Sequence, residues 1–150
     1  MRAIKFRAWN RELGEMWVGG YVQFDTGNVW FENEDGDQFE YTQDKFPLMQ
    51  YTGLRDKNGN EIYEGDILEY HDYMWNFKAD QIHIGVVRWQ DWHGAFDCER
   101  RMIDGKEVKP EHGLPGIQFK FQAKVIGNIY ENPHLLKGVA DEGVTGGTVK

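Results

Sequence analysis

The pentapeptide Asp56-Lys57-Asn58-Gly59-Asn60 lies between two apolar runs, Leu48-Met49-Gln50-Tyr51-Thr52 and Ile62-Tyr63. Asn-Gly flanked by apolar residues is the strongest short-range signal for a β-hairpin, because both residues reach positive φ at little cost. The segment therefore sets an antiparallel reversal near the middle of the chain. A calcium loop is the sharper alternative, since Asp56, Asn58 and Asn60 occupy alternating positions. An EF-hand needs glycine at loop position six and glutamate at position twelve. This chain has Glu61 and Ile67 there, and neither flank carries a helical period. The hairpin is the reading that follows.

The rest of the chain agrees with it. Residues 4–9 place Ile4, Phe6 and Ala8 on one side and Lys5 and Arg7 on the other, the period of a half-buried strand. Further strands are expected at 16–24, bent at Gly19-Gly20, and at 29–31, 39–42, 48–52, 67–70, 95–98, 117–121 and 124–129. Residues 81–89 alternate well: Ile82, Ile84, Val86 and Arg88 face one way, His83, Val87 and Trp89 the other. Both sides are partly apolar, which suits a central strand. Residues 71–80 and 99–115 read as irregular excursions. Asn132-Pro133 suits the N-cap and first position of one helical turn through Leu136. Aromatic residues make up 15% of the chain, and 18 glycines supply turns, a balance that favours pleated structure.

The expected fold class is all-β with little helix. An antiparallel N-terminal β segment covers residues 1–53. A small SH3-like β-barrel covers 54–137, opened by Gly65-Asp66 before an apolar strand and able to bend at Gly85. Residues 138–150 are a flexible tail, poor in large apolar groups.

Charge and motif content narrow the function. At a formal net charge of -8, the surface opposes phosphate backbones and suits a protein or a cation as partner. The single cysteine, Cys98, forbids an intramolecular disulfide and a CxxC zinc pair. The five histidines, His71, His83, His93, His112 and His134, show no metal-site spacing. The first residues carry charge but no apolar core of a signal peptide, and no run approaches the roughly 20 apolar residues of a membrane span. P-loop, GxGxxG and GxSxG patterns are missing, so nucleotide and hydrolase readings have no support. No cofactor and no metal is expected. The acidic run Glu61, Glu64, Asp66 and Glu69 with Asp56 is the material for a metal-dependent hydrolase, but its spacing shows no convergence.

Three segments carry a resemblance. Ile4-Lys5-Phe6-Arg7-Ala8-Trp9 is an opening pattern. Met49-Gln50-Tyr51-Thr52-Gly53-Leu54-Arg55-Asp56-Lys57-Asn58-Gly59 through Ile62-Tyr63-Glu64-Gly65-Asp66-Ile67 is the hallmark. Val125-Ile126-Gly127-Asn128-Ile129-Tyr130-Glu131-Asn132-Pro133 closes the domain. In these the chain resembles the YopX-like phage protein family, over almost its whole length except the tail. The resemblance implies phage or prophage origin, a bacterial cytoplasm, and an N-terminal β segment before a small barrel. It brings no catalytic residues.

Two surfaces are candidates. The first is the hallmark loop, Asp56, Asn58, Glu64 and Asp66, with Asn128, Tyr130 and Glu131 beside it. The second is an aromatic and basic patch of Trp75, Lys78, Arg88, Trp89, Trp92, Arg100 and Arg101. Aromatics among cations can stack bases, yet tryptophan is also an anchor of protein interfaces. The leading expectation is a non-enzymatic phage accessory protein that binds an unidentified protein partner and itself. A nucleic-acid-binding module is the second reading, disfavoured by the net acidity.

Overall fold

The computed structural model describes residues 3–19, 21–25, 28–40, 44–71, 81–112 and 123–138. In chain order its strands are β1 (Phe6–Asn10), β2 (Glu15–Val18), β3 (Tyr21–Asp25), β4 (Asn28–Glu32), β5 (Gln38–Glu40), β6 (Leu48–Arg55), β7 (Glu61–Tyr63), β8 (Asp66–His71), β9 (Ile82–Gln90), β10 (Ala95–Ile103), β11 (Lys106–His112) and β12 (Lys124–Asn128). A 3-10 turn follows at Pro133–Leu136. The fold is all-β. One sheet runs β2-β1-β6-β7, a second β11-β10-β9-β8-β12, and a third β3-β4-β5. Every pairing is antiparallel. β11 and β12 are the two edges of the five-stranded sheet, and no pairing between them closes it among the described residues. Among those residues, no helix is long and apolar enough to cross a membrane.

Two apolar clusters lie within the four- and five-stranded sheets. Ile62, Leu68, Tyr70, Val87, Phe96, Cys98 and Ala123 form the larger one, with Leu54 and Val125 against it. Met49, Tyr51 and Tyr63 form the smaller, flanked by Trp9, Met16 and Tyr130. The hallmark feeds both, because successive side chains of β6 and β7 point to opposite faces. Ile62 enters the larger cluster and Tyr63 the smaller. Gly85, in the middle of β9, has no room for a side chain: a Cβ there would lie 2.6 Å from Cys98 Sγ and 2.8 Å from the Glu99 carbonyl oxygen. Burial pushes the Cys98 thiol well above its ordinary pKa, so it behaves as a small core group.

Several sequence expectations change. The excursion expected at 99–115 is largely regular. β10 continues to Ile103, and Asp104-Gly105 turns the chain into β11, with φ of 47° and 76° at the two residues. Positive φ at both centres is the hairpin geometry that Asp-Gly favours. The strand expected at 16–24 is two strands, β2 and β3, which belong to different sheets. Gly19 parts them at φ 80°, with the Glu34 side chain against it. The boundary expected after residue 53 falls inside β6, which continues to Arg55 through Gly53 at φ 86°, with a register shift between Tyr51 and Arg55. A positive-φ glycine at such a shift is a β-bulge, so the strand bends here and does not end. The expected strand at 117–121, the excursion from 72 to 80, and residues 139–150 of the tail lie outside the described residues.

Candidate functional site

The hairpin at the hallmark is built by Asp56 more than by Asn58. Arg55 and Glu61 are paired across it, and the Gly59 N–H donates to the Asp56 carbonyl at 3.0 Å with Gly59 at φ 85°. Aspartate first and glycine fourth is the preference of a type I turn. The Asp56 carboxylate accepts from the Asn58 and Asn60 N–H groups, both at 2.9 Å, from the Asn60 side-chain amide at 3.2 Å, and from the Val125 N–H at 3.0 Å. Burial pushes its pKa up, but these four bonds to the ionised form outweigh it and leave the carboxyl below its ordinary value. The last bond ties the turn to β12, 69 residues away. Asn58 itself stays exposed.

Asp66 performs the second tie. It is buried, with only 1% of its surface exposed. One oxygen takes a 2.6 Å ion pair from Arg7 of β1, the other a 2.7 Å bond from the Tyr63 N–H. The Arg7 guanidinium also sits 4.7 Å from the centre of the Tyr63 ring. Burial raises the Asp66 carboxyl, against the pull of Arg7 and the Tyr63 amide. A buried pair of this kind contributes register and orientation more dependably than net stability, because desolvation offsets much of the attraction.

Asn128 stands opposite Asp66 in the β8–β12 ladder. Its side-chain oxygen accepts from the Tyr130 N–H at 3.0 Å and the Glu131 N–H at 2.9 Å, and its amide donates to the Glu131 carboxylate. Asn132 makes no side-chain cap for the 3-10 turn that follows; its oxygen accepts instead from the Asn128 N–H at 3.2 Å. The Tyr130 ring stacks on Trp9 at 5.7 Å, with the Arg11 guanidinium 5.8 Å from its centre. Opening, hallmark and closing segments thus converge: Arg7 meets Asp66, Trp9 meets Tyr130, and Asp56 meets Val125. Most polar atoms of the first candidate surface are consumed in holding β1, the hairpin and β12 together.

Glu64 is the exception in its carboxylate, while its carbonyl accepts from the Arg7 guanidinium at 3.4 Å. Its N–H donates to the Gln50 carbonyl at 2.9 Å, and the adjacent Gly65 N–H donates to the Val87 carbonyl at 2.9 Å. The first bond ties the β7–β8 turn to β6 and the second ties it to β9, two residues before Trp89. Gly65 is at φ 79°, and a Cβ there would press on Met49 and Ile129, so glycine suits both the turn and the close approach. Gln50, Glu64, Trp89 and Phe96 line an open cleft of about 310 Å³. Trp89 packs edge-on to Phe96, ring centres 5.1 Å apart, and is still 45% exposed. Trp92, at the tip of the β9–β10 hairpin, is 68% exposed.

The second candidate surface does not stay together. Arg88 and Trp89 are neighbours on β9 and so face opposite sides of the sheet. Glu99 pairs with Arg101 at 3.0 Å and stands 3.9 Å from Arg88. Arg100 and Arg101 follow on β10 at a register shift. Trp75 and Lys78 lie outside the described residues. Sequence reasoning missed Gln50 as a lining residue, and it placed Glu64 and Trp89 on separate surfaces. Among the described residues, no group of three or more His, Cys, Asp or Glu side chains is gathered to hold a metal ion.

The YopX protein family matches this sequence over residues 5–137. The chain belongs to that family. The match contains the hallmark and closing segments whole and the opening segment from Lys5 onward. The chain is also similar in structure to protein EF1440 from Enterococcus faecalis, known from a crystal structure, at 28% sequence identity and a TM-score of 0.54. That likeness covers 91% of this chain and 100% of the other. No curated protein matches.

Proposed function

We propose that this YopX-family protein is a non-enzymatic protein-binding module that docks a partner, and copies of itself, through the cleft between the β7–β8 turn and the β9–β10 hairpin. The observation that carries the reading is the exposure of Trp89 in that cleft and of Trp92 at the tip of the β9–β10 hairpin. Tryptophan exposed at a concave polar-rimmed site is the residue type that anchors protein interfaces. The hallmark carboxylates support the absence of chemistry in a positive sense: the lone pairs of Asp56 and Asp66 are already directed at backbone amides and Arg7. A nucleic-acid surface is less favoured, because Glu99 partners Arg88 and Arg101 on the face opposite Trp89.

On this reading the curled five-stranded sheet is an SH3-like platform, and the protein is a phage or prophage accessory factor in a bacterial cytoplasm, a reading that membership of the YopX family supports. Sedimentation velocity tests the docking claim. The wild-type chain is expected to show a concentration-dependent mass above the 17.6 kDa of one copy, and a Trp89→Ser/Trp92→Ser variant to stay at that mass. A wild-type chain that remains a single copy, and recovers from cells no protein beyond those the double variant recovers, overturns the proposal.

A further inference from the structure

We infer that the cleft lined by Gln50, Glu64, Trp89 and Phe96 receives the cationic side chain of a lysine or arginine presented by the docking partner. The inference rests on the protein-binding reading and specifies its chemistry. Three features of the site point to a cation. The exposed Trp89 ring offers the best aromatic face for one, held by its edge contact with Phe96. Glu64 is half-buried at the same opening, and no Lys or Arg among the described residues forms an ion pair with its carboxylate. The backbone bonds from Glu64 to Gln50 and from Gly65 to Val87 fix the turn, so the carboxylate is carried on rigid elements.

Electrostatics agree at long range. The chain carries a net charge of -8, which draws a basic segment and repels an acidic one. The cleft, at about 310 Å³, is at the small end of ligand sites, which suits one side chain better than an extended ligand. A purely apolar occupant would bury Glu64 without a partner, a cost that a cation avoids.

The test titrates the full chain with Nα-acetyl-lysine methylamide, following the Trp indole N–H signals by NMR. Nα-acetyl-norleucine methylamide is the uncharged control, and N-acetylglucosamine the sugar control. A saturable shift of the Trp89 indole is expected with the lysine probe, weakened by salt. The norleucine probe should bind at least about fivefold more weakly, the scale of an exposed cation–π contact with an added ion pair. Glu64→Gln and Trp89→Leu should each weaken the lysine probe several-fold, with unfolding curves checked to show that both variants fold. Equal binding of norleucine, binding of the sugar in its place, an unaffected Glu64→Gln variant, or no saturable shift overturns the inference. If the lysine probe fails while assembly still depends on Trp89 and Trp92, only this inference falls. If the probe binds but the chain neither assembles nor recovers a protein from cells beyond those the double variant recovers, the cation site stands and the docking reading falls.

Discussion

Asp66 and Glu64 are two residues apart, on either side of Gly65, and occupy opposite environments. Asp66 is buried, fully engaged by Arg7 and the Tyr63 amide, and stands opposite Asn128 in the sheet. Glu64 opens onto a cleft beside a half-exposed tryptophan. One short turn thus supplies a clamp on its inner side and a recognition group on its outer side. The comparison teaches that acidity in the hallmark has two physical uses: the buried carboxylates satisfy backbone amides and fix register, while the open one is available to a partner. Substitutions should separate the two, with large stability effects on the inner side and small ones on the outer.

The largest effect is expected at Asp66. Asp66→Ala leaves the Arg7 guanidinium buried without its counter-charge, and breaking a buried pair from one side costs about 3–5 kcal/mol. Urea unfolding measures it, and a loss under 1 kcal/mol would dissolve the distinction between clamp and cleft.

Asp56→Asn comes next, at about 1–3 kcal/mol, because its carboxylate satisfies several N–H groups at once. Its pH dependence sharpens the comparison. The folded-state pKa of Asp56 is lowered from an ordinary value of 3.8. Its contribution is therefore complete above that value and is lost as pH falls through the depressed folded one. The gap between wild type and Asp56→Asn should be widest near neutrality and close on the acid side. Burial shifts Asp66 the other way, but Asp66 is common to both proteins, so a gap that widens with acid would contradict the lowered pKa of Asp56.

Gly59→Ala should cost about 1 kcal/mol, since alanine must adopt the positive φ of the turn although the space around it is open. A neutral result in thermal unfolding would mean that the turn rearranges freely. The smallest effects belong to the cleft. Glu64→Gln and Trp89→Ser should each lie within about 0.5 kcal/mol of wild type, as surface substitutions away from the clamp do. A loss of 2 kcal/mol at either would make the cleft part of the core.

Much of this arrangement was legible in residues. Alternation at 81–89 announced a central strand and put Arg88 and Trp89 on opposite faces, which already divides the aromatic and basic patch. Asn58-Gly59 announced a reversal, although Asp56 turned out to build it. Asp104-Gly105 carried an equally plain hairpin signal, hidden among charges that read as loop. What could not be read was long-range register. Nothing local says that Asp56 reaches Val125, that Arg7 reaches Asp66, or that Gly65 docks on Val87. Those bonds depend on which strands become neighbours, and they create both the clamp and the cleft. Gly19 shows the same limit: a bend within one strand and a crossing between two sheets look alike in sequence.

Sedimentation velocity on Trp89→Ser, run at a temperature where its unfolding curve overlays that of the wild type, tests the division most directly. The account predicts a native fold whose mass stays at that of one copy under conditions where the wild type assembles. A variant that assembles as the wild type does, or one that unfolds under those conditions, contradicts it.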